Sequence, residues 1–378
     1  MLIAVPKEIR EGEKRVALVP DVINKLTRLG LDVVIESGAG LHSQASDAEF
    51  VAAGAKVESG DVLKSADVVL SVQPLTAAQM ATLKKGAATI SFLSTVTAVD
   101  SIEAAVKAQA TAFSLELVPR ISRAQSMDAL TSQALCAGYR AVLVGAEMSP
   151  RFFPLLMTAA GTVTPAQVLV LGAGVAGLQA IATARRLGAV VSAYDVRPSS
   201  ADEVKSMGAT FIELELESLE GAGGYAREMT EERAAKQREL LTPYIAKSHV
   251  VITTAAVPGR TAPRLMTQAM IDAMEPGTVI VDLAAETGGN VEGSKPGEVV
   301  VTSGGVRIWG GKDVPSQLPF HASSLYSRNV VNLLTLLTTP AKDGAPVALS
   351  LDFADEIINA SAVTHAGQRR DPSAGGAK

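Results

Sequence analysis

Short apolar runs rich in β-branched residues alternate with amphipathic stretches along most of the chain. Towards the N-terminus, the runs that favour strands lie at residues 2–5, 32–36, 68–72, 88–92 and 112–116. Amphipathic stretches of helical period lie between them, for example at 21–29 and 101–108. Apolar runs separated by such helices are typical of βα units. We therefore expect a parallel sheet in this region of the chain.

A second series of strand-like runs occupies the middle of the chain, at residues 167–171, 190–194, 210–213, 250–253, 278–282 and 299–302. Two longer segments, 129–148 and 316–337, are expected to be helices. The predicted fold class is α/β, with two Rossmann-like doubly wound parallel-sheet domains joined by long helices. The first domain is expected to be discontinuous, at 1–128 plus 330–378. The second is expected to span 129–329, including the linking helices.

Composition excludes several classes of protein. The 378 residues are 47% apolar and 19% charged, as in globular proteins, and enough for two hydrophobic cores. A formal net charge of −5, without any basic block, argues against nucleic acid as a partner. The single cysteine, Cys136, cannot form an internal disulfide or a cysteine-based metal site, and we expect it to be a buried packing residue. No metal site is predicted.

The N-terminus and the apolar runs indicate where the chain is located. The opening MLIAVPKEIREGEK lacks the basic and then apolar layout of a signal peptide. No apolar stretch reaches the roughly 18 residues of a membrane-spanning helix. Even the stretch near residue 330 is interrupted by Arg328, Asn329 and Asn332. We expect a cytoplasmic protein without direct membrane insertion, which reaches a membrane only through a partner.

A glycine-rich motif follows the first strand of the second series. Gly172, Gly174 and Gly177 form G-x-G-x-x-G, with Val175 and Ala176 inside it, between the strand 167–171 and a predicted helix at 178–187. In dinucleotide-binding folds, these glycines permit the tight turn, the approach of a pyrophosphate and the packing of helix on strand. The phosphates then lie at the helix N-terminus. In a chain with 32 glycines the motif alone is weak evidence.

An acidic residue strengthens the prediction of a dinucleotide site. Asp195 ends the next strand, about 20 residues beyond the motif, where a carboxylate accepts hydrogen bonds from ribose hydroxyls and repels a 2′-phosphate. The sequence therefore predicts NAD(H) over NADP(H). The alternative for Asp195 is a strand-end turn carboxylate. Arg197, which follows Val196, argues against this preference, because a nearby arginine can accommodate a 2′-phosphate.

Two later segments place turn residues after strands of the same sheet. These are ITTAAVPG at 252–259 and DLAAETGGN at 282–290. In an open parallel sheet, ligands bind at the carboxyl ends of the strands. We therefore expect cofactor contacts from four of these residues: Thr254, Ala255, Gly259 and Leu283.

Five segments occur together in an order that identifies a family. They are RISRAQSMD at 120–128, MTAAGTV at 157–163, GAGVAGLQAIATARRLGAVV at 172–191, AGGYAREM at 222–229, and DLAAETGGN. The chain resembles the NAD(H)-binding component of proton-translocating nicotinamide nucleotide transhydrogenase, over nearly its whole length to about Phe353. The alanine dehydrogenases are close cousins of this family.

The resemblance implies an activity, partners and a location. In that family the component is a soluble homodimer that passes hydride from NADH to NADP⁺ held by an NADP(H)-binding beta subunit. Membrane-embedded proton-channel subunits couple this transfer to proton translocation. The cofactor of this chain would be NAD(H), with NADP(H) on the partner subunit. The chain would lie peripherally on the inner face of the cell membrane.

The resemblance also implies roles for individual residues. Arg120, Gln125 and Asp128 match the family's loop beside the nicotinamide, and Thr131 stands where relatives carry a serine near that ring. Hydride transfer between two nicotinamides requires positioning rather than a general base, which suits the neutral amide of Gln125. From the residues alone, a solvated loop with Asp128 near a helix start is the favoured alternative.

A long insertion supplies two further candidates. Residues 213–241 exceed an ordinary βα connection, and paired glycines precede Tyr225. By resemblance, Tyr225 and Met229 match the family's mobile loop that closes over bound nucleotide. The alternative for Tyr225 is an ordinary surface tyrosine. Asp195 matches the family's adenosine-ribose ligand.

Two other functions stay open. An alanine-dehydrogenase-like enzyme would need a base, but its substrate lysine and histidine align with Gln73 and Phe92, neither of which takes a proton. Arg15 could hold the substrate carboxylate in such an enzyme, but relatives in both branches carry its segment, so it does not discriminate between them, and the alternative is a structural loop arginine. A non-catalytic NAD-binding regulatory protein would lack acid and base residues equally well, and only activity separates it from an enzyme.

Overall fold

The computed structural model describes residues 1–216, 230–256, 260–339 and 347–370. The chain divides into two compact units: unit 1 is Met1–Gln133 with Ser316–Lys378, and unit 2 is Ala134–Pro315. Each contains a predominantly parallel sheet with helical crossovers. This confirms the predicted α/β class with two Rossmann-like sheets.

Unit 1 is built on a six-stranded sheet in which every pair of neighbours is parallel, in the order β3-β2-β1-β4-β5-β6. Its strands are β1 (Leu2–Val5), β2 (Asp32–Glu36), β3 (Lys56–Glu58), β4 (Val68–Leu70), β5 (Ala88–Ser91) and β6 (Thr111–Ser114). The helices between them are α1 (Pro20–Arg28), α2 (Asp47–Ala52), α3 (Ala77–Met80) and α4 (Val99–Lys107).

The local sequence explains these elements. All residues of β4, β5 and β6 are buried, as expected for parallel strands covered on both faces. Helix α1 begins with Pro20, whose fixed φ and missing N–H suit a first helical position. It buries Val22, Ile23 and Leu26 on one face. That spacing packs an apolar stripe against the sheet.

Unit 2 is built on a seven-stranded sheet in the order β11-β10-β9-β12-β13-β15-β14. Helix α5 (Ala129–Met148) leads into it, and a separate exposed hairpin, β7 (Leu156–Thr158) with β8 (Gly161–Val163), precedes it. The sheet comprises β9 (Gln167–Leu171), β10 (Val190–Tyr194), β11 (Thr210–Phe211), β12 (Val250–Thr253), β13 (Val279–Asp282), β14 (Val299–Val301) and β15 (Arg307–Gly310). Its helices are α6 (Val175–Arg186), α7 (Ser200–Ser206), α8 (Glu231–Ala246) and α9 (Gln268–Asp272).

The chain then returns to unit 1 through helix α10 (Pro319–Leu336), which supplies a share of that unit's core. Tyr326, Val330 and Leu333 are fully buried there. The remaining elements are β16 (Thr338–Thr339), β17 (Ala348–Leu349), α11 (Glu356–Ser361), β18 (Thr364–His365) and β19 (Gln368–Arg369).

The structure differs from the expected elements in three respects. The run at 299–302 forms β14, but it pairs antiparallel with β15, because the tight turn Thr302–Gly305 leaves no room for a crossover. Strands β3 and β15 were not predicted, since each holds only three or four residues of mixed polarity. The helix after the glycine motif begins at Val175 rather than at 178, so that the end of the motif lies inside it.

Membrane spans and metal clusters are both absent from the described ranges of the chain. None of the helices in those ranges is long and apolar enough to span a membrane. No group of three or more histidine, cysteine, aspartate or glutamate side chains in the same ranges is arranged to hold a metal ion.

Candidate functional site

The glycine turn joins β9 to α6 and leaves an open position at its centre. Gly172 has φ of +102°, and a Cβ there would lie 2.6 Å from the Thr254 hydroxyl oxygen. A Cβ at Gly177 would lie 1.8 Å from the Gly172 carbonyl oxygen. Both positions therefore require glycine. At Gly174, by contrast, none of the described atoms lies within 4 Å of such a Cβ.

This open position coincides with the start of a helix. Gly174 is the N-cap of α6, and being a glycine it offers no side chain to cap the first turn. The N–H groups of a first turn have no partner within the helix and favour an anion, as does the helix dipole. Val175 is 37% exposed and Ala176 is half-buried. The turn can therefore admit a phosphate group close to the backbone.

Asp195 lies directly beside this turn. Its Oδ2 accepts a hydrogen bond from the Ala173 N–H at 2.7 Å, which ties the end of β10 to the glycine motif. Arg197 also contacts the carboxylate, with Nε 2.9 Å from Oδ1. The side chain of Asp195 is only 7% exposed. Sequence reasoning did not foresee this ion pair, because it depends on side-chain conformation.

The loop after β12 borders the other side of the turn. The Thr254 hydroxyl donates to the Gly172 carbonyl at 3.0 Å, and the Ala255 N–H donates to Asn290 Oδ1 at 3.0 Å. The Asn290 side chain also donates to the Ala255 carbonyl, at 2.7 Å, and to the Pro263 carbonyl, at 2.8 Å. Asn290 is fully buried. It therefore fixes the main chain that borders the glycine turn.

A buried aspartate holds Asn290 in turn. Asp282, the last residue of β13, is fully buried and accepts from the Thr253 hydroxyl at 3.0 Å and the Ala284 N–H at 3.0 Å. The Asn290 N–H donates to the same carboxylate. Sequence reasoning noted the segment 282–290 but missed these two residues. The signal was an aspartate and an asparagine at the two ends of a motif that directly follows the buried strand β13.

The structure brings together most of the predicted cofactor residues of unit 2. Strands β10, β9, β12 and β13 are neighbours, so that the residues following them share the carboxyl edge of one sheet. Leu283, also at this edge, donates its N–H to the Thr253 carbonyl. The residues of this edge are Gly172, Gly174, Val175, Ala176, Gly177, Asp195, Val196, Arg197, Thr254, Ala255 and Leu283. Three other predicted residues, Tyr225, Met229 and Gly259, lie outside the described residues.

The remaining candidates lie in unit 1, where Arg120, Gln125 and Asp128 precede helix α5 and Thr131 lies in its first turn. Residues Ser122–Met127 form a 3-10 helix that buries Ala124 and Met127 and exposes Gln125. Arg120, just before it, is also exposed. The Ser126 carbonyl accepts hydrogen bonds from Asn329 and Asn332 of α10, at 2.9 and 3.1 Å. Helix α10 thus holds the backbone of this segment in place next to the exposed side chain of Gln125.

Asp128 and Thr131 contact each other. Asp128 Oδ1 accepts from the Thr131 N–H at 2.8 Å, and Oδ2 accepts from its hydroxyl at 2.6 Å. Asp128 therefore caps the N-terminus of α5, which is typically worth about 1 kcal/mol. Both residues therefore have a structural role at the start of α5.

Unit 1 also contains a buried polar cluster around Glu13. Its carboxylate accepts from Arg15 Nε at 2.8 Å, Arg15 Nη2 at 2.7 Å, Gln73 Nε2 at 2.7 Å and the Ser316 hydroxyl at 2.8 Å. Arg15 Nη1 donates to Gln133 at 2.8 Å. Burial alone would raise the pKa of Glu13, but the hydrogen bonds and charge of Arg15 lower it to about 2. The side chains of this cluster therefore satisfy one another's hydrogen-bonding groups.

A second carboxyl group lies next to this cluster. Burial raises the pKa of Glu8 to about 7, against hydrogen bonds from the backbone of Val72 and Gln73 that lower it. A cavity of about 600 Å³ in unit 1 is lined by Glu8, Gln73 and Phe92, among others. Phe92 packs against Tyr326, with ring centroids 5.4 Å apart.

The chain matches two family models. They are described as the alanine dehydrogenase/PNT N-terminal domain, matched by residues 4–137, and C-terminal domain, matched by residues 141–372. A Rhodospirillum rubrum protein, named as a portion of NAD(P) transhydrogenase subunit alpha, is 47% identical to the chain, and the match covers 97% of each sequence.

Two solved structures have the same fold. Transhydrogenase from Sinorhizobium meliloti matches with a TM-score of 0.85 and 43% identity, over 99% of this chain and all of that one. An L-alanine dehydrogenase matches with a TM-score of 0.80 and 25% identity, over 99% of this chain and 98% of that one. The similarity therefore extends to both branches, and is greater to the transhydrogenase.

Proposed function

The chain belongs to the alanine dehydrogenase/PNT family, and we propose that within it this chain is the NAD(H)-binding subunit of a proton-translocating transhydrogenase. It passes hydride from NADH to NADP⁺ held by a partner subunit. The observation that carries nucleotide binding is the open position at Gly174, beside the uncapped start of α6 and the Asp195 carboxylate. The relatives named as transhydrogenase alpha subunits support the choice of reaction.

The residues at the carboxyl edge of unit 2 fit a dinucleotide. The N–H groups of Val175 and Ala176, in the first turn of α6, would meet the pyrophosphate. Asp195, with Val196 and Arg197 after it, would hold the adenosine ribose. Across the edge, Thr254, Ala255 and Leu283 would line the rest of the nucleotide, together with Gly259.

The nicotinamide ring supplies the hydride, and the chain needs only to position it. We assign this to Arg120, Gln125, Asp128 and Thr131, with Gln125 holding a carboxamide or bridging the two nucleotides. Gln125 suits the task because its amide both donates and accepts hydrogen bonds without titrating. Its backbone is fixed, so that little ordering is required on binding.

Closure and assembly complete the proposal. Tyr225 and Met229 would close over the bound nucleotide and exclude water. The active assembly would contain a homodimer of this chain, an NADP(H)-binding beta subunit and membrane-embedded proton-channel subunits. The chain would then lie on the cytoplasmic face of the membrane, held there by those subunits.

Amino-acid oxidation is the alternative that the fold itself permits, since alanine dehydrogenases share it. That reaction needs a carboxylate-binding arginine and a base. Arg15 is already bonded to Glu13 and Gln133, and Gln73 donates to Glu13. Neither Gln73 nor Phe92 can take a proton. The contacts in this cluster therefore favour a structural role over alanine chemistry.

Nucleotide binding and hydride exchange separate these functions. The purified chain is titrated with NADH and NADPH, and then mixed with an NADP(H)-binding transhydrogenase component. We expect NADH to bind at least tenfold more tightly than NADPH, and exchange to require the added component. Alanine-dependent NADH formation without a partner would favour the dehydrogenase. NADH binding without any exchange would favour a regulatory protein.

A further inference from the structure

The side chain of Arg197 is joined to the Asp195 carboxylate by two parallel hydrogen bonds. Arg197 Nε donates to Oδ1 at 2.9 Å and Nη2 donates to Oδ2 at 3.0 Å. The backbone N–H groups of Arg197 and Ala173 donate to the same two oxygens, at 2.9 and 2.7 Å. Each carboxylate oxygen thus accepts two hydrogen bonds from the chain.

The surroundings of this ion pair strengthen it. The side chain of Asp195 is 7% exposed and that of Arg197 is 20% exposed. Bidentate contacts between a guanidinium and a carboxylate are among the strong hydrogen bonds in proteins. Solvent and salt screen such an ion pair less when it is partly buried. The guanidinium is therefore held in one place with its charge balanced.

Arginine is also the residue type that best holds a 2′-phosphate. Its planar fork matches two phosphate oxygens, and it keeps its charge at all ordinary pH values. Arg197 lies three residues beyond Tyr194, the last residue of β10, in the region where Rossmann proteins that bind NADP(H) can carry such an arginine. Its contact with Asp195 brings its guanidinium to the ribose end of the proposed site.

We propose that Arg197 can bind the 2′-phosphate of NADP(H), and that its ion pair with Asp195 prevents it from doing so in the wild-type chain. Asp195 would then favour NAD(H) in two ways, by repelling the phosphate and by binding the guanidinium that could receive it. The inference rests on the proposed binding of NAD(H) at this edge. It adds that the chain already contains the residue needed to accept NADP(H).

Substitutions separate the two effects. Asp195→Asn removes the charge but keeps the size of the side chain and one oxygen for the Ala173 N–H. We expect this variant to bind NADPH at least tenfold more tightly than the wild type does, measured by nucleotide fluorescence. In Asp195→Asn combined with Arg197→Gln, the part of the gain that the released guanidinium provides should be lost, so that the double variant binds NADPH more weakly than Asp195→Asn alone. Asp195→Ser serves in place of the asparagine variant if circular dichroism shows that the latter does not fold.

A matched control removes an equal charge near the amino ends of the strands of the same sheet. Glu275 precedes β13 and forms an exposed ion pair with Arg151, at 3.2 Å. Glu275→Gln, alone and with Arg151→Gln, repeats both charge changes far from the carboxyl ends of the strands. Neither control should alter NADPH affinity by more than about twofold, because exposed charges at this distance are screened.

Each outcome decides between the two proposals. If the single and double variants at Asp195 and Arg197 gain NADPH affinity equally, charge removal alone explains the preference and Arg197 has no such role. If Asp195→Asn gains nothing, the inference is also wrong. If the wild-type chain fails to bind NADH, the proposed function itself fails, and the inference with it.

Discussion

Replacing Glu13 by glutamine tests the buried cluster of unit 1. The substitution keeps the shape of the side chain but leaves Arg15, only 6% exposed, without its counter-charge. Against the effect of burial, the hydrogen bonds and charge of Arg15 lower the pKa of Glu13 from 4.5 to about 2. At 1.36 kcal/mol per unit, ionised Glu13 contributes about 3 kcal/mol to folding at neutral pH. Removing one partner of a buried ion pair typically costs about 3–5 kcal/mol, which agrees.

The pH dependence follows from the direction of this shift. Because the pKa is lowered on folding, the contribution of Glu13 is complete above about pH 4.5 and is lost as the pH falls toward 2. We therefore expect the difference in unfolding free energy between wild type and Glu13→Gln to be about 3 kcal/mol at pH 7. The difference should shrink steadily below pH 4.5.

Calorimetry and urea unfolding at several pH values measure this difference. Glu275→Gln, which breaks the exposed ion pair with Arg151, is the control and should cost less than about 1 kcal/mol at any pH. A loss below about 1 kcal/mol for Glu13→Gln at pH 7, or a loss that does not change with pH, would refute the reasoning.

Three further predictions concern Glu8, the glycine turn and Asn290. Burial raises the pKa of Glu8 to about 7, which means that the folded protein favours the protonated carboxyl group over the charged one. The unfolding free energy of the wild type should therefore fall as the pH rises from 4.5 through 7 and Glu8 becomes charged. Glu8→Gln should therefore increase the unfolding free energy at pH 8 by about 1–3 kcal/mol, and change it little at pH 4 in urea titrations. Gly174→Ala should keep its melting temperature but bind NADH at least tenfold more weakly, since a methyl group fits the free turn and obstructs the pyrophosphate. Gly177→Ala should lower the melting temperature as well as weaken NADH binding. Equal behaviour of the two alanine variants would contradict this assignment. Asn290→Ala, which leaves the Ala255 N–H without its acceptor, should cost about 1–3 kcal/mol in denaturant unfolding and weaken NADH binding, whereas unchanged stability would show that the contact is unimportant.

The strands were the most predictable feature of the fold. The runs at 2–5, 32–36, 167–171, 190–194 and 250–253 form strands with those bounds, because buried parallel strands consist of consecutive apolar, often β-branched residues. Short strands with mixed polarity, such as β3, carry no such signal. The antiparallel direction of β14 depends on the turn that follows it, which the strand residues do not encode.

The candidate site was predictable where local spacing determines the geometry. The positive φ of Gly172 and the close packing of Gly177 follow from a strand, a turn and a helix within a few residues. Contacts between distant segments were not predictable. Asn290 reaches Ala255, 35 residues away, and Ser316 reaches Glu13 across 303 residues. Such pairs depend on the packing of whole elements, which no local pattern records.

Tracing the transferred hydrogen tests the central claim most directly. NADH carrying deuterium at the transferred position of the nicotinamide is mixed with this chain, NADP⁺ and an NADP(H)-binding transhydrogenase component, and the NADPH is analysed by mass spectrometry. We expect deuterium in NADPH, with no exchange into water, only when both proteins are present, and much less of it with Gln125→Ala. Tight NADH binding with no deuterium in NADPH, under conditions where the partner is active with a known NAD(H)-binding component, would contradict the proposed function.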